Sequence, residues 1–252
     1  MRQRSWGNVG SAPVGCRWPQ PAATLRLVCF PHAGGGPAAF RSWAAALSPD
    51  VELWTATMAG RAGRKHEPFA TDWRELTREF AAWVSAHVPP PVAIAGYSLG
   101  ALVGFEVARE ITRHGAIAID HLLVCGHPAP ESALSHEIPD VDDVLVSEVD
   151  RAFGGIPPEV RSSPEILRHF LPILRADLEL ASAYRLEPGP QLECAITAIA
   201  GKDDPAVSAA GLRRWSRYTS GSLQILRPAG GHFFRGEDER LFLDEVRRVV
   251  RA

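Results

Sequence analysis

Residues Val92-Ala-Ile-Ala-Gly-Tyr-Ser98-Leu-Gly100 constrain this chain more than any other stretch. An unbroken apolar run ends in Gly-x-Ser-x-Gly, and an apolar segment rich in small residues follows from Ala101 to Ala108. That order predicts a buried strand, a sharp turn and a helix, which is the context a nucleophile elbow requires. Gly96 and Gly100 remove side chains where strand and helix must approach closely. Ser98 is then held in a strained backbone conformation with its hydroxyl above the sheet. The N–H of Leu99 falls at the start of the helix, where backbone donors lack internal partners and the dipole favours negative charge, so Leu99 is a candidate oxyanion donor. Gly, Ser and Ala are common enough for the five-residue pattern to arise by chance; the strand before it and the helix after it favour the functional reading.

The chain around this stretch reads as one large α/β domain over residues 24–252, because 252 residues carry no long linker. Apolar residues make up 46% and charged residues 22%, enough for a sizeable core. With 27 basic against 29 acidic residues there is no bulk field to draw nucleic acid or an anionic membrane. Four cysteines, Cys16, Cys29, Cys125 and Cys194, lie far apart without a CxxC pair, and a zinc site is not expected. Cys29, Cys125 and Cys194 sit in strand-like apolar runs and read as small core residues in a reducing compartment. No apolar run is long enough to span a bilayer, and polar and glycine residues follow Arg2 and Arg4 where a signal peptide needs an apolar stretch. A cytoplasmic protein is expected.

Taken in order, residues 1–23 read as a loose extension, since Gly, Pro, Ser and scattered charge show no period. Leu25 to Phe30 is a strand broken by Pro31-His-Ala-Gly-Gly-Gly36. A glycine loop after a strand suits either a phosphate or an oxyanion; both nucleotide fingerprints are absent, and Ser98 needs a second donor, most naturally the N–H of Ala33. Val51 to Thr57 is a strand, followed by a basic loop, Gly60 to His66, whose default reading is solvated charge. Trp73 to His87 is an amphipathic helix, and His121 to Gly126 another buried strand. From about 129 to 190 the pattern is helical only: Val141 to Phe153, a Gly154-Gly-Ile-Pro-Pro158 break, then Pro164 to Tyr184, which Pro172 should kink or divide. Apolar residues on more than one face of the last helix suit a lid that also lines a cavity; a plain helical subdomain is the alternative. Strands Cys194 to Ala200 and Leu223 to Leu226 resume the sheet, a helix near Ala209 to Tyr218 lies between them, and Glu237 to Val250 closes the chain as a helix. Strands alternating with helices imply a mostly parallel sheet with helices on both faces.

A serine hydroxyl is nearly inert at neutral pH and needs a base, which in turn needs an orienting acid. An acid pair, Asp203-Asp204, follows one late strand, and His232 follows the next, satisfying the chain order Ser, acid, His. The other eight histidines all precede the acid pair. Asp204 is preferred because it lies at the end of the turn, three residues past Gly201 and just before Pro205. Asp203 is then a solvated neighbour or a support.

With these stretches in hand the chain resembles the type II thioesterases, freestanding α/β-hydrolases that accompany modular polyketide synthases and nonribosomal peptide synthetases. The resemblance runs from Leu25 to the C-terminus. It rests on Phe30-Pro-His-Ala-Gly-Gly-Gly36, Gly96-Tyr-Ser-Leu-Gly100, Phe153-Gly-Gly-Ile-Pro157, Leu171-Pro-Ile-Leu-Arg-Ala-Asp177, Gly201-Lys-Asp-Asp-Pro205 and Gly230-Gly-His-Phe-Phe234. It implies an α/β-hydrolase fold, Ser98 as nucleophile, His232 as base, Asp204 as orienting acid, and the N–H groups of Ala33 and Leu99 as the oxyanion hole. It further implies hydrolysis of acyl groups stranded on the phosphopantetheine arm of acyl or peptidyl carrier domains, with no cofactor or metal of the enzyme's own, transient carrier partners and a monomeric state. Arg61, Arg64 and Lys65 are candidate contacts to an acidic carrier. Two departures stand out: Tyr97 and Leu99 replace the His and Met often flanking the serine, and Met58-Ala-Gly-Arg61 lacks the family's usual proline. Neither is expected to touch the nucleophile or the base. The alternatives are a medium-chain acyl-carrier hydrolase of fatty acid synthesis, a general carboxylesterase or lipase, and a hydrolase-fold binding protein without catalysis.

Overall fold

The computed structural model describes residues 11–132, 138–154, 156 and 161–251. Residues 1–10 of the expected extension, part of the lid (133–137), and Gly155, Pro157 and Pro158 of the expected helix break lie outside the described residues. Seven strands make one sheet: β1 (Val14–Trp18), β2 (Leu25–Phe30), β3 (Val51–Ala56), β4 (Val92–Tyr97), β5 (Ile119–Cys125), β6 (Ala195–Ile199) and β7 (Leu223–Leu226). Their spatial order is β1-β3-β2-β4-β5-β6-β7. Only β1 runs antiparallel, on β3; every other neighbour is parallel. The helices are α1 (Arg41–Leu47), α2 (Trp73–His87), α3 (Leu99–His114), α4 (Asp142–Phe153), α5 (Pro164–Ala183), α6 (Ala209–Arg213) and α7 (Glu237–Arg251).

The central strand β4 is apolar and buried along its whole length because both faces of the sheet are covered there. Successive residues of a strand point to opposite faces. Val28, Phe30, Trp54, Ile94, Leu122 and Val124 accordingly join one core with Phe80 and Val84 of α2 and Val103 and Phe105 of α3. The alternate residues Leu27, Cys29, Leu53, Ala95, Leu123 and Cys125 join a second core with Trp43 and Leu47 of α1 and Phe242 and Val246 of α7. Asp72 opens α2 by accepting hydrogen bonds from the N–H groups of Arg74 and Glu75. Among the described residues no helix is long and apolar enough to cross a membrane.

One expectation needs correction and two are refined. The extension over residues 1–23 is not loose throughout: Val14–Trp18 is the edge strand β1, with Val14 paired to Ala56 and Cys16 to Trp54. Five residues with two inward apolar side chains carry too little periodicity to be read locally, and the strand owes its existence to the edge that β3 offers. Of the two outcomes expected at Pro172, division does not occur: the lid helix runs unbroken from Pro164 to Ala183. The helix expected near Ala209 to Tyr218 is a short α6 continued by a 3-10 helix, Arg214–Tyr218.

Strand order places the site. β3 lies on one side of β2 and β4 on the other, so the chain reverses its direction of build between them. At such a switch the loops leaving adjacent strands diverge and open a crevice at the carboxyl edge. The loops leaving β2 and β4 are the glycine-rich loop and the Ser98 turn.

Candidate active site

Ser98 has φ 53° and ψ −120°, a region that residues with a side chain rarely occupy. Such a conformation costs on the order of 1–3 kcal/mol and persists only where the surroundings enforce it. They do so here. The Ser98 N–H donates to the Cys125 carbonyl at 2.7 Å, and its own carbonyl accepts from Ala101 N–H at 2.9 Å as α3 begins. A Cβ on Gly96 would lie 2.1 Å from the Gly100 carbonyl oxygen, and one on Gly100 would lie 2.1 Å from that of Phe30. No side chain fits at either position.

His232 and Asp204 meet although they leave different strands. A Cβ on Gly201 would lie 2.0 Å from the Gly230 carbonyl oxygen, so the turns after β6 and β7 pack backbone on backbone. Asp203 N–H donates to that same carbonyl at 3.0 Å. This contact turns the next residue inward. Asp204 is buried, with one carboxylate oxygen 2.9 Å from Nδ1 of His232 and the other accepting from Ala206 N–H at 2.9 Å. Asp203 is exposed. An ionised carboxylate only accepts, so a hydrogen bond to one places a proton on Nδ1, and in the neutral ring Nε2 is then the acceptor. Nε2 is buried and has no hydrogen-bond partner among the described residues. Ser98 and His232 line one cavity, and no hydrogen bond joins them in this state. Catalytic contacts of this kind commonly tighten when substrate binds.

Ala33 and Leu99 line the same cavity. Leu99 opens α3, where its N–H has no intrahelical acceptor. The loop carrying Ala33 is fixed from three sides: Nδ1 of His32 to the Ala33 carbonyl at 2.9 Å, Gly34 N–H to Asp177 at 2.8 Å, and Arg61 to the Gly35 carbonyl at 2.9 Å. Burial pushes the His32 imidazole below its ordinary pKa, which favours the neutral ring that donates this hydrogen bond. His127 also lines the cavity; burial lowers it to about 4, and it too is neutral at physiological pH.

The cavity encloses about 440 Å³. Its roof comes from α4 and α5, through Val149, Phe153, Phe170, Leu174 and Leu178. That distinguishes a lid from a subdomain packed elsewhere on the core. The Phe153 ring stands 4.8 Å from the His232 ring, centre to centre, so the roof reaches the candidate base. These roof residues are apolar, and His32, Ser98 and His232 bring polar groups to the same cavity.

The candidate carrier contacts Arg61 and Arg64 require correction. Both are buried. Arg61 pairs with Asp177, and Arg64 bonds Glu67, Glu79 and the Thr57 carbonyl. Only Lys65 of the three is exposed. A cluster of cations in one loop reads as solvent-facing until its acidic partners, one of them 116 residues along the chain, are placed.

The departure at Tyr97 proves more intimate than expected. Tyr97 O–H donates to the His232 carbonyl at 2.5 Å and so anchors the loop that carries the base. Gly126, in a left-handed turn at φ 64°, leaves room for the imidazole, since a Cβ there would lie 3.3 Å from His232 Cε1. Neither contact is visible in a local pattern; the glycine that ends a buried strand is the one available signal for Gly126. Tyr97→Phe is expected to lower the melting temperature by a few degrees, as losing one buried hydrogen bond costs about 1 kcal/mol. It is also expected to lower kcat severalfold by loosening His232, checked by thermal unfolding and steady-state turnover.

A serine on a strained strand-to-helix turn at the carboxyl edge of a mostly parallel sheet, sharing a cavity with a histidine that is paired to an acid from another late strand, marks an α/β-hydrolase. Within that class the chain belongs to the thioesterase domain family, whose model matches residues 25–252. It is 32% identical over 234 residues to the gramicidin S biosynthesis protein GrsT of Aneurinibacillus migulanus, covering 91% of this chain and 90% of that protein. Among solved structures it is similar to RedJ, a thioesterase from the prodiginine pathway of Streptomyces coelicolor, at 32% identity and TM-score 0.84, covering 91% of this chain and 87% of RedJ. It is likewise similar to BorB, a type II thioesterase from the borrelidin biosynthetic cluster, at 33% identity and TM-score 0.82, covering 95% and 96% of the two chains.

Proposed function

We propose that this protein is a serine thioesterase that frees acyl groups from the phosphopantetheine arm of carrier proteins, clearing stalled or misprimed polyketide and nonribosomal peptide assembly lines. The observation that carries the reading is the buried Asp204–His232 pair, its Nε2 without a hydrogen-bond partner among the described residues, with His232 in a cavity shared with the strained Ser98. The apolar roof suits an acyl chain, and RedJ and BorB, described as coming from biosynthetic pathways, support the carrier-bound substrate.

In this mechanism Ser98 Oγ attacks the thioester carbonyl while Nε2 of His232 takes its proton. The oxygen of the tetrahedral adduct lies against the N–H groups of Ala33 and Leu99, preorganised donors whose hydrogen bonds strengthen as charge develops. Asp204 holds the imidazole in its productive tautomer and balances the imidazolium. Collapse expels the pantetheine sulfur, which recovers a proton from His232, and leaves an acyl-serine. Water deprotonated by His232 then releases the acid. The carriers bind transiently to a monomeric, cytoplasmic enzyme that brings no cofactor of its own, and four free cysteines are in keeping with a reducing compartment. Their docking surface excludes Arg61 and Arg64, which are withdrawn into the fold.

The test compares kcat/KM on acyl-carrier thioesters with that on p-nitrophenyl esters of the same acyl chains. We expect a preference for the carrier thioester of at least about tenfold, which is about 1.4 kcal/mol of differential transition-state binding. A preference for the oxygen esters would replace this reading with a general carboxylesterase.

A further inference from the structure

The ion pair of Arg61 and Asp177 lies outside the Ser98, Asp204 and His232 machinery, yet it converges on the loop that carries Ala33. Asp177 belongs to α5, the lid helix; Arg61 belongs to the loop after β3; their side chains are 4% and 6% exposed. Arg61 grips Asp177 in a fork, with contacts of 2.7 and 2.5 Å to its two oxygens. Each partner also holds the glycine-rich loop. One Asp177 oxygen accepts from Gly34 N–H at 2.8 Å, and Arg61 donates to the Gly35 carbonyl at 2.9 Å. The peptide joining Ala33 to Gly34 is therefore clamped at both poles, its carbonyl by His32 and its N–H by Asp177. Gly34 adds a steric register. It has φ 74°, and a Cβ there would lie 2.7 Å from the Phe170 ring of the same lid helix.

We infer that Arg61 and Asp177 are positioning residues for the oxyanion donor at Ala33, and that through them the lid helix must be seated for that donor to be set. The inference rests on the reading of Ala33 N–H as one half of the oxyanion hole. A buried ion pair is weak evidence of stabilisation, since desolvation offsets much of its attraction and an apolar pair of similar volume often serves as well. A fork that also fixes two consecutive residues of a catalytic loop has a geometric use that an apolar pair lacks. When α5 lifts, Gly34 N–H loses its acceptor, so a lid opened to admit the arm leaves the hole incomplete until it closes.

The experiment compares wild type, Asp177→Ala, Arg61→Lys and the double variant Arg61→Met/Asp177→Leu on an octanoyl N-acetylcysteamine thioester. It also measures their affinity for a medium-chain alkyl trifluoromethyl ketone. In that adduct Ser98 Oγ bonds the ketone carbon, its proton passes to His232, and the former carbonyl oxygen becomes the oxyanion. Removing a whole oxyanion donor costs roughly 100- to 1000-fold in kcat. Displacing one is expected to lower kcat about 10- to 100-fold in Asp177→Ala, with KM within about twofold and ketone affinity falling in proportion to kcat. Arg61→Lys, which keeps the charge but not the fork, should fall between. The double variant should regain the melting temperature without regaining kcat or ketone affinity. Recovery of kcat along with stability would reduce the pair to a structural role and overturn the inference, as would wild-type kcat in Asp177→Ala. If Asp177→Ala does not fold, the double variant and Arg61→Lys decide the matter by the same readouts. Failure of the functional reading shows separately: wild type would then leave the thioester intact.

Discussion

Ser98→Ala is expected to lower kcat on acyl thioesters by roughly 10⁵- to 10⁶-fold, the scale on which serine hydrolases respond to loss of the nucleophile. The fold should survive, because alanine meets the same backbone at φ 53° that serine already tolerates, and the hydrogen bonds that enforce it come from the main chain. The variant should still bind substrate, since the cavity and the donors at Ala33 and Leu99 are intact. Ser98→Gly is a useful companion. It should be equally inactive and more stable by about 1 kcal/mol, because glycine occupies this region without strain. Steady-state turnover with thermal unfolding checks both. Hydrolysis by Ser98→Ala at the wild-type rate would mean that another group is the nucleophile.

Asp204→Asn is expected to lower kcat by about 10⁴-fold at neutral pH, and the hydrogen bonds around the carboxylate explain how. One carboxylate oxygen takes the Ala206 N–H and the other faces Nδ1 of His232. An asparagine would keep its carbonyl on Ala206 and turn its amide toward the imidazole. Nδ1 must then accept, the proton moves to Nε2, and the ring can no longer take a proton from Ser98. KM should change little, because neither oxygen reaches the acyl walls. Asp203→Asn should stay within about twofold of wild type, since that side chain is exposed and only its backbone N–H holds the turn. Parallel kinetics on the two variants separates the neighbours; the reverse ranking would transfer the acid's role to Asp203.

Much of this site is legible in the order of the amino acids. The elbow is readable because it is local: a buried strand, two glycines and a helix in close succession compel the strained serine, and Gly96 and Gly100 are required by contacts of 2.1 Å. The order Ser98, Asp204, His232 is readable because each residue follows a strand that its own apolar run announces. The lid is readable as helices, and its closure over the cavity as an expectation. What stays hidden depends on separation in the chain. Arg61 and Asp177 lie 116 residues apart, and each reads alone as a surface charge. Tyr97 and the His232 carbonyl are separated by 135 residues. β1 escapes a local reading because its pairing with β3, rather than its own five residues, makes it a strand.

The sequence by itself determined the fold class, the strained turn at Ser98 and the three candidate groups, because strand alternation, helical period and glycine stereochemistry act over a few residues. Only the tertiary structure decided how those groups are held. The reversal of strand order between β2 and β4 brings separate loops to one edge of the sheet. There, with water excluded, Arg61 and Asp177 become a clamp on the glycine loop, and Tyr97 becomes an anchor for the base.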